Sequence, residues 1–220
     1  MLNWNKINTV LLDMDGTLLD LNFDNHFWLE FVPQRYAQQN QLSLAESKQF
    51  LQPLFKGMEG RLEWYCLDYW SQQLNLDIAG LKAEIAGLID ILPHVTEFLT
   101  ALQQTDKAVF LVTNAHPDSL SLKMEKTCLQ PFFKQIICSH NFGFAKEHQS
   151  FWAAFQAQQG FTQQSTLMVD DSLAVLRAAQ SFGIEHLINI NKPDSQKPAQ
   201  TTNEFPAITD FREIMPPNVN

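Results

Sequence analysis

The sequence predicts an α/β protein with a doubly wound parallel sheet and a helical region inserted near its N-terminus. Short apolar runs alternate with helical patterns over most of the chain, and polar residues follow several of the runs. Residues 21–90 break this alternation, since they show helical periodicity without a convincing strand. A chain of 220 residues is long enough to bury one sizeable core and a smaller insert.

Five apolar runs rich in β-branched residues predict the strands, because strands buried on both faces of a parallel sheet read as continuous apolar segments. The first run stops abruptly at two acidic residues and a glycine, which indicates a strand that ends in a loop. The five predicted strands are residues 7–12, 108–113, 135–139, 166–170 and 186–190.

Helical patterns separate these strands. After Pro93, apolar residues recur at positions 95, 98, 99 and 102, the spacing of one face of an amphipathic helix. Two further helices are predicted around Phe151, Trp152 and Phe155, ended by Gly160, and around Val175, Ala178, Ala179 and Phe182, ended by Gly183. Strand and helix therefore alternate as in a Rossmann-like core.

The interruption predicts two domains: an α/β core of residues 1–20 and 91–220, and a helical domain of residues 21–90. Ser43 and Glu46 have the spacing of a capping box, and residues 61–74 form a predicted helix rich in Trp and Tyr. Residues 56–61 predict a glycine-punctuated turn before that helix. The tail from residue 191 is predicted to be mostly loop, with a short helix near Phe211.

Composition excludes several classes of function. The formal net charge of −9 argues against a nucleic-acid-binding surface, so an anionic ligand would need local cations or a metal. No apolar run approaches the roughly 18 residues of a membrane helix, and no membrane partner is predicted. Cys66, Cys128 and Cys138 lack metal or redox spacing, which indicates free thiols and a cytoplasmic location. The sequence does not indicate an oligomeric state.

The first predicted strand is followed by two carboxylates, Asp13 and Asp15, at the end of the sheet where open α/β proteins bind ligands. In an extended segment their side chains would point in opposite directions, so a turn at Gly16 is needed to bring both into one cleft. The alternative is a polar loop that only ends the strand.

Polar residues also follow three other predicted strands: Thr113 and Asn114, Lys146, and Asp170 with Asp171. Each has an ordinary explanation as a turn former, a solvated charge or a helix cap. Their joint position at the same edge of one sheet favours a shared site.

These residues resemble the four motifs of the haloacid dehalogenase superfamily, in order and over nearly the whole chain. Motif one matches Asp13-Met14-Asp15-Gly16-Thr17, motif two Thr113, motif three Lys146, and motif four Asp170-Asp171. The insert lies where this superfamily carries a helical cap of the C1 type. The resemblance therefore implies a core of that superfamily under a movable lid, with hinges near residues 20–23 and 92–93.

The motif-three region departs from the family pattern. The superfamily often has a proline beside the lysine, whereas Lys146 is flanked by Ala145 and Glu147. Lys123 is one of the competing lysines, but it falls in a predicted helix, away from the expected ligand edge.

The resemblance implies a role for each motif. Asp13 would be the nucleophile that forms an aspartyl-phosphate, and Asp15 would protonate the leaving oxygen and then activate water. Crowding by neighbouring carboxylates should raise the pKa of Asp15. Thr113, Asn114 and Lys146 would hold the phosphoryl oxygens, helped by backbone amides of the Asp13 loop that include Met14.

Several carboxylates in one cleft would repel a phosphate, so a divalent cation is required, and Mg²⁺ suits oxygen ligands. The expected ligands are the carboxylates of Asp13 and Asp171 and the backbone carbonyl of Asp15. Asp170 would either bind the ion or support its ligands.

Longer stretches, including LLDMDGTLLDL, WYCLDYW, TNAHP and DDS, resemble bacterial nucleotidases that act on GMP and IMP. A small phosphomonoester, IMP or GMP, is therefore the expected substrate. Lys56 and Arg61 could read acceptors on a purine base, or could be solvated charges. Three aromatic residues of the insert could stack on the base or form the core of the insert: Trp64, Tyr65 and Trp70. His116 could contact substrate or begin a helix.

Three alternatives remain open at this stage. A sugar-phosphate phosphatase or phosphomutase would use the same two aspartates, and a phosphomutase would differ mainly in how water is excluded. A dehalogenase is disfavoured because halide departure does not need the acid that Asp15 supplies. A non-catalytic nucleotide-binding module is expected to lack Asp13 or Asp15, and both are present.

Overall fold

The computed structural model describes residues 2–217, which contain a six-stranded sheet in the order β3-β2-β1-β4-β5-β6 with every neighbouring pair parallel. The predicted α/β sheet is thus confirmed. The strands are β1 (Thr9–Leu12), β2 (Ala108–Thr113), β3 (Gln135–Cys138), β4 (Thr166–Asp170), β5 (His186–Ile190) and β6 (Ala207–Ile208).

Residues 22–88, called the helical insert below, lie between β1 and β2 and consist of helices joined by short connections. They comprise α1 (Asn22–His26), a π-helical turn (Phe27–Phe31), α2 (Val32–Asn40), α3 (Leu44–Met58), α4 (Leu62–Tyr65), α5 (Leu67–Leu74), α6 (Ile78–Glu84) and a 3₁₀ turn (Ala86–Leu88). The insert has an apolar cluster of its own, centred on buried Trp70 and Phe27. Such a cluster is expected of a unit that packs separately from the sheet.

Four helices outside the insert cover the two faces of the sheet: α7 (Val95–Gln103), α8 (Pro117–Thr127), α9 (Gln149–Gln159) and α10 (Leu173–Phe182). Val10 and Leu12 of the central strand belong to the cluster with α7 and α8, whereas Leu11 belongs to the cluster with α9 and α10. Successive side chains of a strand point to opposite faces, so a strand buried on both faces must be apolar throughout.

The structure changes three details of the predicted elements. The predicted helix 61–74 is divided at Cys66, whose sulfur accepts a hydrogen bond from the backbone N–H of Tyr69 and caps α5. The predicted turn 56–61 begins later, because α3 continues to Met58. The tail adds the short strand β6, and the helix predicted near Phe211 is a 3₁₀ turn (Phe211–Ile214).

The chain enters and leaves the insert through two paired segments. The backbone N–H of Asp20 donates to the carbonyl of Asp90 at 2.9 Å, and that of Leu92 donates to Leu18 at 3.0 Å. The two connections therefore run side by side at the sheet edge, close to the predicted hinges. Among the described residues, no helix combines the length and the apolar character needed to cross a membrane.

Candidate active site

The carboxyl ends of β1, β2 and β4 meet at one edge of the sheet. Leu12 is in register with Leu111 of β2 and Val169 of β4, so the residues that follow these positions are neighbours. The backbone N–H of Asp13 donates to the carbonyl of Val169 at 3.0 Å and extends this pairing by one residue. Parallel register thus brings together side chains that lie far apart in the sequence.

Three carboxylates converge at this edge. Asp13, Asp170 and Asp171 each place one side-chain oxygen within 4.8 Å of the others, with Asp13 and Asp170 buried. Gly16 makes this approach possible: its φ is +82°, and a Cβ there would come within 2.6 Å of Asp171 Oδ2. A set of closely spaced oxygens suits Mg²⁺, and these are the residues that could hold it.

Lys146 lies buried against two of these carboxylates. Its Nζ donates to Oδ1 of Asp13, to Oδ2 of Asp170 at 2.8 Å and to the carbonyl of Val112 at 3.0 Å. Burial opposes its charge, but the two carboxylates outweigh burial and raise the pKa of Lys146. Lys146 is therefore a permanent cation beside Asp13.

The same environment disfavours charge on the acids. Burial raises the pKa of Asp13 to about 7; the charge of Lys146 opposes this shift, and the charge of Asp170 adds to it. Burial and the charges of Asp170 and Asp13 hold the pKa of Asp171 well above its ordinary value. Both acids would be stabilised in their charged form by a cation between them, as expected of a divalent metal site.

The carboxylate of Asp15 is not one of these three, and it pairs with Lys123. Lys123 Nζ donates to Asp15 Oδ1 at 2.6 Å and to Asp24 Oδ2 at 2.6 Å, and Lys82 Nζ donates to the other oxygen of Asp24 at 2.5 Å. Burial raises the pKa of Asp15 to about 6; the charge of Lys123 opposes this shift, and the charges of Asp24 and Asp13 add to it. Burial contributes more to this shift than the crowding by carboxylates inferred from sequence.

The expectation that Lys123 lies away from the ligand edge was wrong. Its side chain is only 1% exposed, and it reaches Asp15 across 108 positions of sequence. The available signal was helical spacing, because Lys123 falls four residues after Ser119, on the buried face of α8. A lysine on such a face needs a partner.

The remaining motif residues shape the loops around the site. Thr113 is buried, and its Oγ1 accepts from the backbone N–H of Ala115 at 3.0 Å. Asn114 Oδ1 accepts from the backbone N–H of Lys146 at 2.9 Å. The carbonyl of Met14 accepts three backbone hydrogen bonds, which close the loop after Asp13, and its side chain lies in the core.

A cavity of about 680 Å³ lies between this edge and the helical insert. Four residues of the core line the cavity: Asp15, Ala115, His116 and Ser119. Leu21, just before the insert, also lines it. The remaining lining residues belong to the insert and are Asp24, Asn25, Trp28, Leu29, Glu30, Pro33, Lys48, Leu51, Gln52, Phe55, Lys56, Glu59, Trp64, Tyr65, Leu67 and Lys82. Lys56, His116, Trp64 and Tyr65 thus face the cavity. Arg61 is exposed and does not line it, and Trp70 is buried in the insert.

Comparisons with known proteins agree with this architecture. The chain is 38% identical over 213 residues to the GMP/IMP nucleotidase YrfG of Escherichia coli (strain K12), covering 97% of this chain and 96% of the relative. The same figures hold for the GMP/IMP nucleotidase YrfG of Shigella flexneri.

Two solved structures share the fold. The HAD phosphatase of Thermococcus onnurineus has a TM-score of 0.78 at 20% identity and covers 94% of this chain and 96% of its own. The magnesium-bound HAD-hydrolase YfnB of Bacillus subtilis has a TM-score of 0.65 at 23% identity, with the same coverage. A family model of haloacid dehalogenase-like hydrolases matches residues 7–183. The chain therefore belongs to the haloacid dehalogenase-like hydrolases, and it is a phosphoric monoester hydrolase.

Proposed function

We propose that this enzyme hydrolyses purine nucleoside 5′-monophosphates, IMP and GMP, through an aspartyl-phosphate on Asp13 with Mg²⁺ bound beside it. The convergence of Asp13, Asp170, Asp171 and Lys146 at one sheet edge carries the proposal. The near full-length similarity to a GMP/IMP nucleotidase supports the choice of substrate.

Asp13, Asp171 and Asp170 are the carboxylates that would hold Mg²⁺, with the backbone carbonyl of Asp15 as a further ligand. The ion, when bound, supplies positive charge that neutralises both the carboxylates and the phosphate. Lys146 adds a second, permanent positive charge beside Asp13. This local charge matters because a net charge of −9 does not attract an anionic substrate over long range.

Lys146 holds one oxygen of Asp13 and thereby orients the carboxylate for attack on phosphorus. The new bond joins an Asp13 oxygen to phosphorus while the bond to the leaving 5′ oxygen breaks, and the proton of Asp15 passes to that oxygen. Asp15 then accepts a proton from the water that hydrolyses the aspartyl-phosphate. A carboxyl whose pKa is raised to about 6 can hold and release this proton near neutral pH.

Asp15 lines the cavity, so a substrate whose phosphate lies at Asp13 would extend its nucleoside toward the insert. Trp64 offers an aromatic face and Lys56 a cation for the acceptors of a 6-oxopurine. We assign residues 21–90 as a cap that closes over this cavity on the paired segments near the sheet, with residues 1–20 and 91–220 as the core. The three free cysteines fit a cytoplasmic enzyme.

The test is release of inorganic phosphate from IMP and GMP with Mg²⁺, beside a panel of other nucleoside and sugar monophosphates. Wild type should release phosphate preferentially from the two purine nucleotides, and Asp13→Asn should release none while keeping its fold. A preference for sugar phosphates would indicate the alternative phosphatase, and an isomerised sugar phosphate would indicate a mutase. Release by Asp13→Asn at the wild-type rate would refute the role of Asp13.

A further inference from the structure

The residue after Lys146 connects the helical insert to the active-site edge. We propose that Glu147 is a positioning residue that couples the insert to Lys146, accepting a hydrogen bond from Tyr65 with one carboxylate oxygen and from Asn114 with the other. The inference rests on the proposed function, in which Lys146 orients Asp13.

The bridge is defined by three hydrogen bonds. Tyr65 Oη in α4 donates to Glu147 Oε1 at 2.6 Å, although the two residues are 82 positions apart. Asn114 Nδ2 donates to Glu147 Oε2 at 2.9 Å. The other end of the Asn114 amide accepts from the backbone N–H of Lys146 at 2.9 Å. A continuous path therefore runs from the insert through Glu147 and Asn114 to the backbone of Lys146.

Residues of the core hold Lys146 at its carbonyl and at its Nζ. The carbonyl of Lys146 accepts from Trp152 Nε1 at 2.7 Å, and its Nζ contacts Asp13 and Asp170. The backbone N–H is thus the point at which the insert can act on the lysine. Tyr65 also lines the cavity, so a displacement of the insert would open the cavity and break the bridge together.

The chemistry of the bridge separates a positioning role from a role of the negative charge. A Gln side chain at position 147 keeps both contacts, since its oxygen can accept from Asn114 and its amide can donate to the Tyr65 hydroxyl, which also accepts. Ala at this position removes both contacts. We therefore expect Glu147→Gln to keep at least half of the wild-type kcat and Glu147→Ala to lose it.

The experiment compares Tyr65→Phe, Glu147→Gln, Glu147→Ala and the double variant Tyr65→Phe/Glu147→Ala in the full-length enzyme. With IMP and Mg²⁺, Tyr65→Phe should lower kcat about 10-fold, the effect of one hydrogen bond to a charged group, with KM changed less than about twofold. The double variant should be no slower than Glu147→Ala, because both substitutions break one path. Tyr69→Phe is the matched control, since Tyr69 also lies in the insert and its hydroxyl donates to the sulfur of Met58, outside the proposed path.

A second measurement does not depend on activity. Hydrogen exchange at the backbone N–H of Lys146 should be about 10-fold faster in Tyr65→Phe and Glu147→Ala than in wild type, Glu147→Gln and Tyr69→Phe. If wild type released no phosphate from any monoester, the proposed function would fail, and the exchange rates would still decide whether the insert and Lys146 are coupled.

Three results would overturn the proposal. Unchanged exchange at Lys146 in Tyr65→Phe would show that the insert does not act on the lysine. A higher KM with unchanged kcat in Tyr65→Phe would mean that Tyr65 only binds substrate. Equal losses in Glu147→Gln and Glu147→Ala would assign the effect to the carboxylate charge instead of the hydrogen bonds.

Discussion

Replacing Gly16 by Ala should weaken Mg²⁺ binding, because the new methyl group would collide with a proposed metal ligand. At φ +82°, the added Cβ lies 2.6 Å from Asp171 Oδ2, 0.4 Å inside the 3.0 Å limit of real Cβ contacts. Pro193 Cβ, at 3.0 Å, restricts movement on another side. Asp171 must therefore shift by several tenths of an ångström. Because this shift displaces a proposed metal ligand, we expect Mg²⁺ affinity to fall about 10- to 100-fold.

The backbone effect of this substitution can be separated from the steric one. An alanine in the left-handed region costs about 1–2 kcal/mol wherever it occurs. Gly160, which ends α9, has φ +71°, and a Cβ added there would meet nothing within 4 Å, so Gly160→Ala reports that cost alone. In urea without Mg²⁺, Gly160→Ala should lose about this much free energy of unfolding, and Gly16→Ala should lose more, because its methyl group also collides with Asp171.

Isothermal titration with Mg²⁺ then distinguishes the two variants. Gly160→Ala should bind Mg²⁺ as wild type does, whereas Gly16→Ala should bind more weakly and release phosphate more slowly at subsaturating Mg²⁺. Equal Mg²⁺ affinity in the two variants would refute the placement of Asp171 at the metal.

Other predictions concern charges around the same edge. Lys123→Met leaves the carboxylate of Asp15 without its buried cation, so the free energy of unfolding measured in urea should fall by about 3 kcal/mol; a loss below about 1 kcal/mol would contradict this. Because burial raises the pKa of Asp13 to about 7, the folded metal-free protein holds a proton that the unfolded chain loses near pH 4. The stability of wild type relative to Asp13→Asn should therefore decline from pH 4 to pH 7 in EDTA, and a rise over that range would argue against the shift. Lys56→Ala should raise KM for IMP up to about fivefold, whereas Arg61→Ala should not, since Lys56 lines the cavity and Arg61 does not; equal effects on KM would refute that distinction.

Much of the fold was predictable because its signals are local. The central strand is buried at every position and apolar from Val10 to Leu12, since both of its faces are covered, and this pattern is visible in a few residues of sequence. The glycine after the two carboxylates likewise predicted a turn, and Gly16 has the positive φ that such a turn uses. The division of the predicted helix at Cys66 was missed, because apolar periodicity continues across a short break.

The residues of the proposed site were likewise predictable from the sequence only where the signal is local. The sequence by itself determined which acids follow which strands, because strand ends and motif spacing are properties of neighbouring residues. Only the tertiary structure decided that Lys123 pairs with Asp15 and that Glu147 joins Tyr65 to Asn114. These pairings depend on how α8 and the helical insert pack against the sheet edge. No local periodicity encodes the distance between side chains that packing brings together from distant parts of the chain.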